Sequence, residues 1–143
     1  MNVSPANDRI VHQCEPGTST MTVTPGANGA LTVVSDLTPA YRGNPALSAW
    51  MRRPDFAARK LTVRDNFILA ASTTAFFQVQ VPVQPTVSGT TVTAGRLRVR
   101  LLEPANATIT LRNWNTVDAS EFTKGWRIDI GGTAYLVELS EVP

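Results

Sequence analysis

The chain holds one histidine and one cysteine, and they sit two residues apart as His12-Gln13-Cys14. An imidazole beside a thiol can activate a thiolate nucleophile or supply two ligands of a zinc site. Both chemistries need further partners on rigid elements, and the surrounding polar segment offers no third ligand. An incidental role is expected for both residues. The carboxylates are scattered. Asp65, Glu103, Asp118, Glu121 and Asp129 fall at expected turns, caps and strand faces, where solvated or capping roles suffice. A glycosidase-type pair could arise among them only by tertiary assembly. Gly131-Gly132 is no phosphate loop, because no GxGxxG or GKT/S pattern leads from a strand into a helix. The residues point away from an enzyme, and no cofactor or metal is expected.

The remaining chemistry belongs to arginine. Eleven of the 13 basic residues are Arg, against 11 acidic residues and a net charge of only +2. Arg96, Arg98 and Arg100 alternate with Leu97, Val99 and Leu101, and the expected register sets Arg112 opposite Arg98. Like charges directly opposite destabilise a sheet. Either acidic neighbours or solvent relieve these, or the patch meets carboxylates of another chain through fixed guanidinium contacts. Few lysines, little net charge and no interleaved aromatics disfavour nucleic acid as the partner. Tyr41, Trp50, Met51 and Trp114 are large side chains without an obvious core slot, so they join the four arginines as candidate interface residues. Tyr41 and Trp50 suit a core equally well. Trp114, between Asn113 and Asn115, would also suit a sugar-binding surface. A carbohydrate- or receptor-binding module is therefore the alternative reading.

The elements that must position these residues are strands. Charged residues make up 17% of the chain, and 18 threonines supply the uncharged polar surface, mostly within alternating stretches that suit the solvent face of a sheet. Residues 1–19 mix Pro, Gly, Asn and Ser with little to bury and read as an extended arm, leaving residues 20–143 as one β-rich domain. The Thr20 stretch turns at Pro25-Gly26-Ala27-Asn28-Gly29 into a second strand. Asn44 and Pro45 then read as the start of a short helix over 45–53, with Leu47, Trp50 and Met51 as its apolar stripe and Pro54 as its stop. Residues 61–64 read as a strand ending in an Asp65-Asn66 turn, and residues 76–83 as a clearer one. Residues 118–121 have capping-box character, with Gly125 ending a brief turn of helix.

Two hairpins are expected towards the carboxy terminus. Residues 96–102 and 108–112 flank Pro104-Ala105-Asn106, which fits a three-residue loop that pairs Leu101 with Ile109 and Val99 with Leu111. Trp126, Ile128 and Ile130 lead to Gly131-Gly132, and Tyr135, Val137 and Leu139 lead away. Positive φ at the glycines would permit a two-residue turn that sets Ile128 opposite Tyr135 and Trp126 opposite Val137. The sum is seven or eight strands with short helical insertions. An all-β antiparallel sandwich or jelly-roll-like domain follows, with an irregular barrel as the close alternative. No apolar run reaches the ~18 residues of a spanning helix, so no membrane is expected as partner. The amino terminus has neither the basic nor the apolar region of a signal peptide, and cytoplasmic synthesis is the expectation.

The polar arm (residues 1–19), the Thr-rich β domain and the late stretch GWRIDIGGTAYLVEL (residues 125–139) together resemble, in style, small β-rich virion proteins of bacteriophages. Capsid decoration or cement proteins and small vertex proteins are the types meant. The resemblance implies a non-enzymatic structural protein incorporated into a virion. Its partners would be other virion or shell proteins and further copies of itself, as a trimer or pentamer, with the arm crossing a subunit boundary. No signature motif accompanies the resemblance, so it assigns no functional residue.

Overall fold

A computed structural model of the protein describes residues 2–4, 19–41, 43–117 and 124–142. His12, Cys14, most of the expected arm and the capping sequence at 118–121 lie outside the described residues. The fold is all-β and antiparallel. Among the described residues its strands are β1 (Asn2–Ser4), β2 (Thr20–Pro25), β3 (Leu31–Asp36), β4 (Leu47–Ala57), β5 (Lys60–Leu69), β6 (Thr74–Val81), β7 (Thr86–Ser88), β8 (Thr91–Ala94), β9 (Leu97–Glu103), β10 (Thr108–Asn113), β11 (Trp126–Gly132) and β12 (Ala134–Glu141), with one short α-helix, α1 (Trp114–Val117), and 3-10 turns at Ala27–Gly29 and Thr38–Tyr41. They form a four-stranded sheet in the order β1-β6-β11-β10 and an eight-stranded sheet in the order β2-β3-β4-β5-β12-β9-β8-β7. The sheets pack face to face as a sandwich. Ala75, Phe77, Val81, Ile128 and Ile130 come from the smaller sheet, and Val63, Val92, Val99, Leu101, Tyr135 and Val137 from the larger.

Period-two alternation sorted the carboxy-terminal half correctly into inside and outside. Leu97, Val99, Leu101, Ile109, Leu111, Trp126, Ile128, Tyr135 and Val137 all lie on strands and are buried or half-buried against the core. The two hairpins built from them do not form. β9 belongs to the larger sheet and β10 to the smaller, so Val99 pairs with Leu139 while Leu111 pairs with Ile128. β11 and β12 are likewise in different sheets, joined through Thr133 alone. Chains that switch sheets at a corner show the same alternation as a hairpin, because in both cases one face points into the core. Gly131 and Gly132 do not take positive φ. Their role is close approach. A Cβ on Gly132 would lie 3.0 Å from Tyr135 Cε1, and one on Gly131 would lie 3.2 Å from Phe76 Cε1.

The helix expected over 45–53 is the first part of β4, which pairs along its length with β5. Leu47 pairs with Leu69 and Ala49 with Ile68, so Ser48 is an extra residue in a β-bulge. The bulge turns Leu47 and Trp50, three apart in sequence, to the same buried face. That spacing is what imitates a helical stripe. The turn expected at Asp65-Asn66 is the interior of β5. The hairpin around residues 25–30 forms as expected, with Asn28 in the left-handed region at φ 54°.

Candidate functional site

The smaller sheet covers only part of the larger. Its core contacts reach β5, β12, β9 and β8, while β2 is exposed along its whole length and β3 is at most half-buried. Residues opposite one another in antiparallel strands share a face. One cross-strand row therefore runs through all eight strands of the larger sheet as Pro25, Leu31, Phe56, Leu61, Leu139, Val99, Val92 and Val87. Every member is apolar. In the middle, Val99 and Val92 are 1% exposed; towards β2, Leu31 is 38% and Phe56 46% exposed. Met21 (67%) and Val23 (46%) lie on the same face, opposite Ser35 and Val33. The core-facing side of the sheet thus continues past its cover as a wing, β2-β3-β4, with its apolar face open. A depression of about 290 Å³ adjoins this surface, lined by Phe56, Leu61, Leu97 and Leu139 together with Arg59, Arg96, Ser140 and Glu141.

The wing is fixed to the body by a buried ionic and aromatic cluster. Asp65 on β5 is 0% exposed. It accepts a hydrogen bond from Trp50 Nε1 at 3.0 Å and two from Arg52, through Nε and Nη2, each at 2.7 Å. The Arg52 guanidinium lies 4.9 Å from the centroid of Trp50 and 5.6 Å from that of Phe77, within cation–π range. Tyr41, Trp50, Phe67, Tyr135 and Phe77 form a continuous chain of ring contacts at 5.3–6.2 Å, tilted except for the edge-on pair Phe67–Tyr135. Tyr135, on β12, donates its hydroxyl proton to the Ala75 carbonyl on β6 and so ties the two sheets together. Burial pushes its phenol far above the ordinary tyrosine range. Asp65 was expected in a solvated turn. Its place on the apolar side of an alternating run, after Leu61 and Val63, was the sign that it would be buried.

The candidate residues read from the sequence are dispersed. Arg98 lies opposite Ser140 and Thr93, not Arg112, and Arg98 Nε reaches Ser140 Oγ at 3.2 Å. Arg100 pairs with Glu138 at 3.4 Å, and Arg96 pairs with Glu141. Glu141 also holds Arg59, at 2.6 Å, in an open depression of about 420 Å³ that includes Lys60 and Arg98. Acidic neighbours on the adjacent strand thus relieve most of this charge. Arg112 is on the other sheet, opposite Arg127, and both meet Asp129, which is 2% exposed and also accepts from Gln78 at 3.0 Å. Asp129 is therefore a buried hub rather than a solvated group. Tyr41 and Trp50 are each 3% exposed in a satellite core with Ala40 and Leu47, which leaves little of them to anchor a partner. Met51 is exposed, on the polar side of the wing opposite Asn66. Trp114 is half-buried, with the Arg127 guanidinium 5.0 Å from its ring centroid.

Sequence reasoning missed the open face of Met21, Val23, Leu31 and Phe56. Its alternation was legible; its lack of cover was not, because that depends on how far the other sheet extends. Among the described residues no group of three His, Cys, Asp or Glu side chains is placed to hold a metal ion. No described helix is long and apolar enough to cross a membrane. No protein-family model matches the chain, and no curated protein matches it either.

Proposed function

We propose that this protein is a non-enzymatic assembly component that docks onto neighbouring protein chains through the open apolar face of its wing. The observation that carries this reading is the cross-strand row that stays apolar from the sealed core to the exposed β2 edge. Contiguous apolar surface of this kind marks an interaction site on a folded domain. Covering the exposed halves of Met21, Val23, Leu31 and Phe56 is worth roughly 1 kcal/mol for each, enough for specific association when joined to backbone or polar contacts. The arginines supply a second, polar surface whose charges are balanced within the chain, which suits orientation more than affinity. A sugar-binding role for Trp114 draws no support from its ring, which is half-buried beside Arg127.

The resemblance to phage decoration and vertex proteins supplies the kind of partner, a shell lattice, and the wing offers a surface with suitable chemistry. Co-sedimentation of the full chain with expanded empty bacteriophage capsids tests this. Saturable binding that Phe56→Asp weakens at least tenfold is expected. A chain that neither binds capsids across a range of salt concentrations nor associates with itself overturns the reading.

A further inference from the structure

We infer that the outer edge of β2 pairs with the β2 edge of a second copy of this chain, antiparallel about a two-fold axis through Thr22. The inference rests on the assembly reading above and names one partner of the wing. Among the described residues β2 ends the eight-stranded sheet, so one side of its backbone has no strand beside it. Folded proteins protect such edges by shortening them, charging them or interrupting them with proline. The other sheet ends follow this rule. β1 and β7 are three residues each, β7 directly follows Pro85, and β10 carries Arg112. β2 has six residues, all exposed and none charged, with a proline only at its last position.

The phase of the ladder shows which groups face the open edge. Gly26 N–H donates to the Ala30 carbonyl at 2.8 Å. In the register Thr24–Thr32, Thr22–Val34 and Thr20–Asp36, the even-numbered residues of β2 therefore exchange hydrogen bonds with β3. The N–H and C=O groups of Met21 and Val23 point outward. Pro25, also outward, has no N–H to leave unpaired. An antiparallel self-pair centred on Thr22 sets Met21 opposite Val23 of the second copy, and the outward groups of these two residues then form four hydrogen bonds. Shifting the centre to Val23 would set Met21 against Pro25, which has no N–H to give, and would leave the Met21 carbonyl of each copy unpaired.

The side chains agree with that register. Thr20-Met21-Thr22-Val23-Thr24 reads the same in both directions by class. In the pair, Thr20 meets Thr24, Thr22 meets Thr22, and Met21 meets Val23, so like faces like on both surfaces of the sheet. A two-fold contact sets a patch against itself, which repels unless the patch is uncharged; β2 is uncharged. The apolar faces of the two wings become one surface.

Sedimentation velocity on the full chain, with oxidative crosslinking, tests the inference. The expected result is a concentration-dependent dimer of 15.4 kDa protomers, or an even-numbered assembly of them. Val23→Pro removes an outward N–H and no hydrogen bond within the chain, and it should weaken the dimer at least tenfold while leaving the circular dichroism spectrum unchanged. In a Cys14→Ser background, Thr22→Cys should crosslink readily, because the residue at the axis sits in a close non-hydrogen-bonded pair within disulfide reach. Thr24→Cys, displaced from the axis, should not. A chain that remains monomeric at high concentration and gives no Thr22→Cys crosslink overturns the self-pairing. If that monomer still binds capsids through its Phe56 face, the β2 edge takes a different strand and the assembly reading stands; if it binds neither, both fall.

Discussion

Asp65→Ala is the substitution that best tests how the wing is held. The carboxylate is fully buried and receives three charge-assisted or buried hydrogen bonds, one from Trp50 and two from Arg52. Removing it strands the Trp50 indole N–H in the interior at a cost of about 1–3 kcal/mol. Breaking a buried ion pair costs about 3–5 kcal/mol when the remaining charge stays buried. The Arg52 side chain is 30% exposed and can partly rehydrate, which moves its share below that range. A total loss of roughly 3–4 kcal/mol follows, and for a domain of this size it lowers Tm by about 10 °C. Equilibrium urea unfolding followed by tryptophan fluorescence measures it. Arg53→Ala on the same strand is the control. Its partner Asp55 lies in an exposed pair, and its loss should stay within about 0.5 kcal/mol. Arg52→Met combined with Asp65→Leu should recover part of the Asp65→Ala loss, since no buried charge is left unpaired. An Asp65→Ala loss below about 1 kcal/mol, or one no larger than the control, would refute the view that this cluster anchors the wing.

Leu31→Asp and Phe56→Asp should lower unfolding free energy by only about 1–2 kcal/mol, because each side chain is little more than half buried, while abolishing association; a stability loss of several kcal/mol would mean the face is covered within the chain. The Thr32 hydroxyl donates to Asp55 at 2.6 Å and lowers the carboxyl pKa below its ordinary value, against partial desolvation and with help from Arg53. A depressed folded-state pKa stabilises the native protein above the unfolded-state value, and that stabilisation is lost as pH falls through the folded value. Thr32→Val should therefore be less stable than the parent at neutral pH, with the gap narrowing in urea titrations at about pH 2; a pH-independent gap would assign the effect to packing instead. Gly132→Ala would bring a methyl group against the buried Tyr135 ring and should cost about 1–3 kcal/mol, read as a lower urea midpoint, whereas Gly29→Ala in the open hairpin turn loses only what its positive φ imposes.

Local pattern carried the sequence a long way. Alternation of period two identified the strand class, the antiparallel two-layer fold and the buried face of β9 to β12, because a strand exposes successive side chains to opposite sides whatever lies beside it. The β2-β3 turn was legible in Pro25-Gly26-Ala27-Asn28-Gly29, since turn chemistry is local. Partner choice is not local. Whether β9 joins β10 or crosses to the other sheet leaves its alternation unchanged, so pairing, and with it the neighbours of every arginine, was decided by the packing of two sheets. The bulge at Ser48 changed which residues share a face and disguised a strand as a helix. Asp65 and Asp129 became buried hubs because Arg52, Trp50, Arg112 and Arg127 converge on them from other strands. The open wing face follows from the same cause. The residues of β2 alternate as those of a core strand do, and only the limited width of the covering sheet leaves Met21, Val23, Leu31 and Phe56 partly in water.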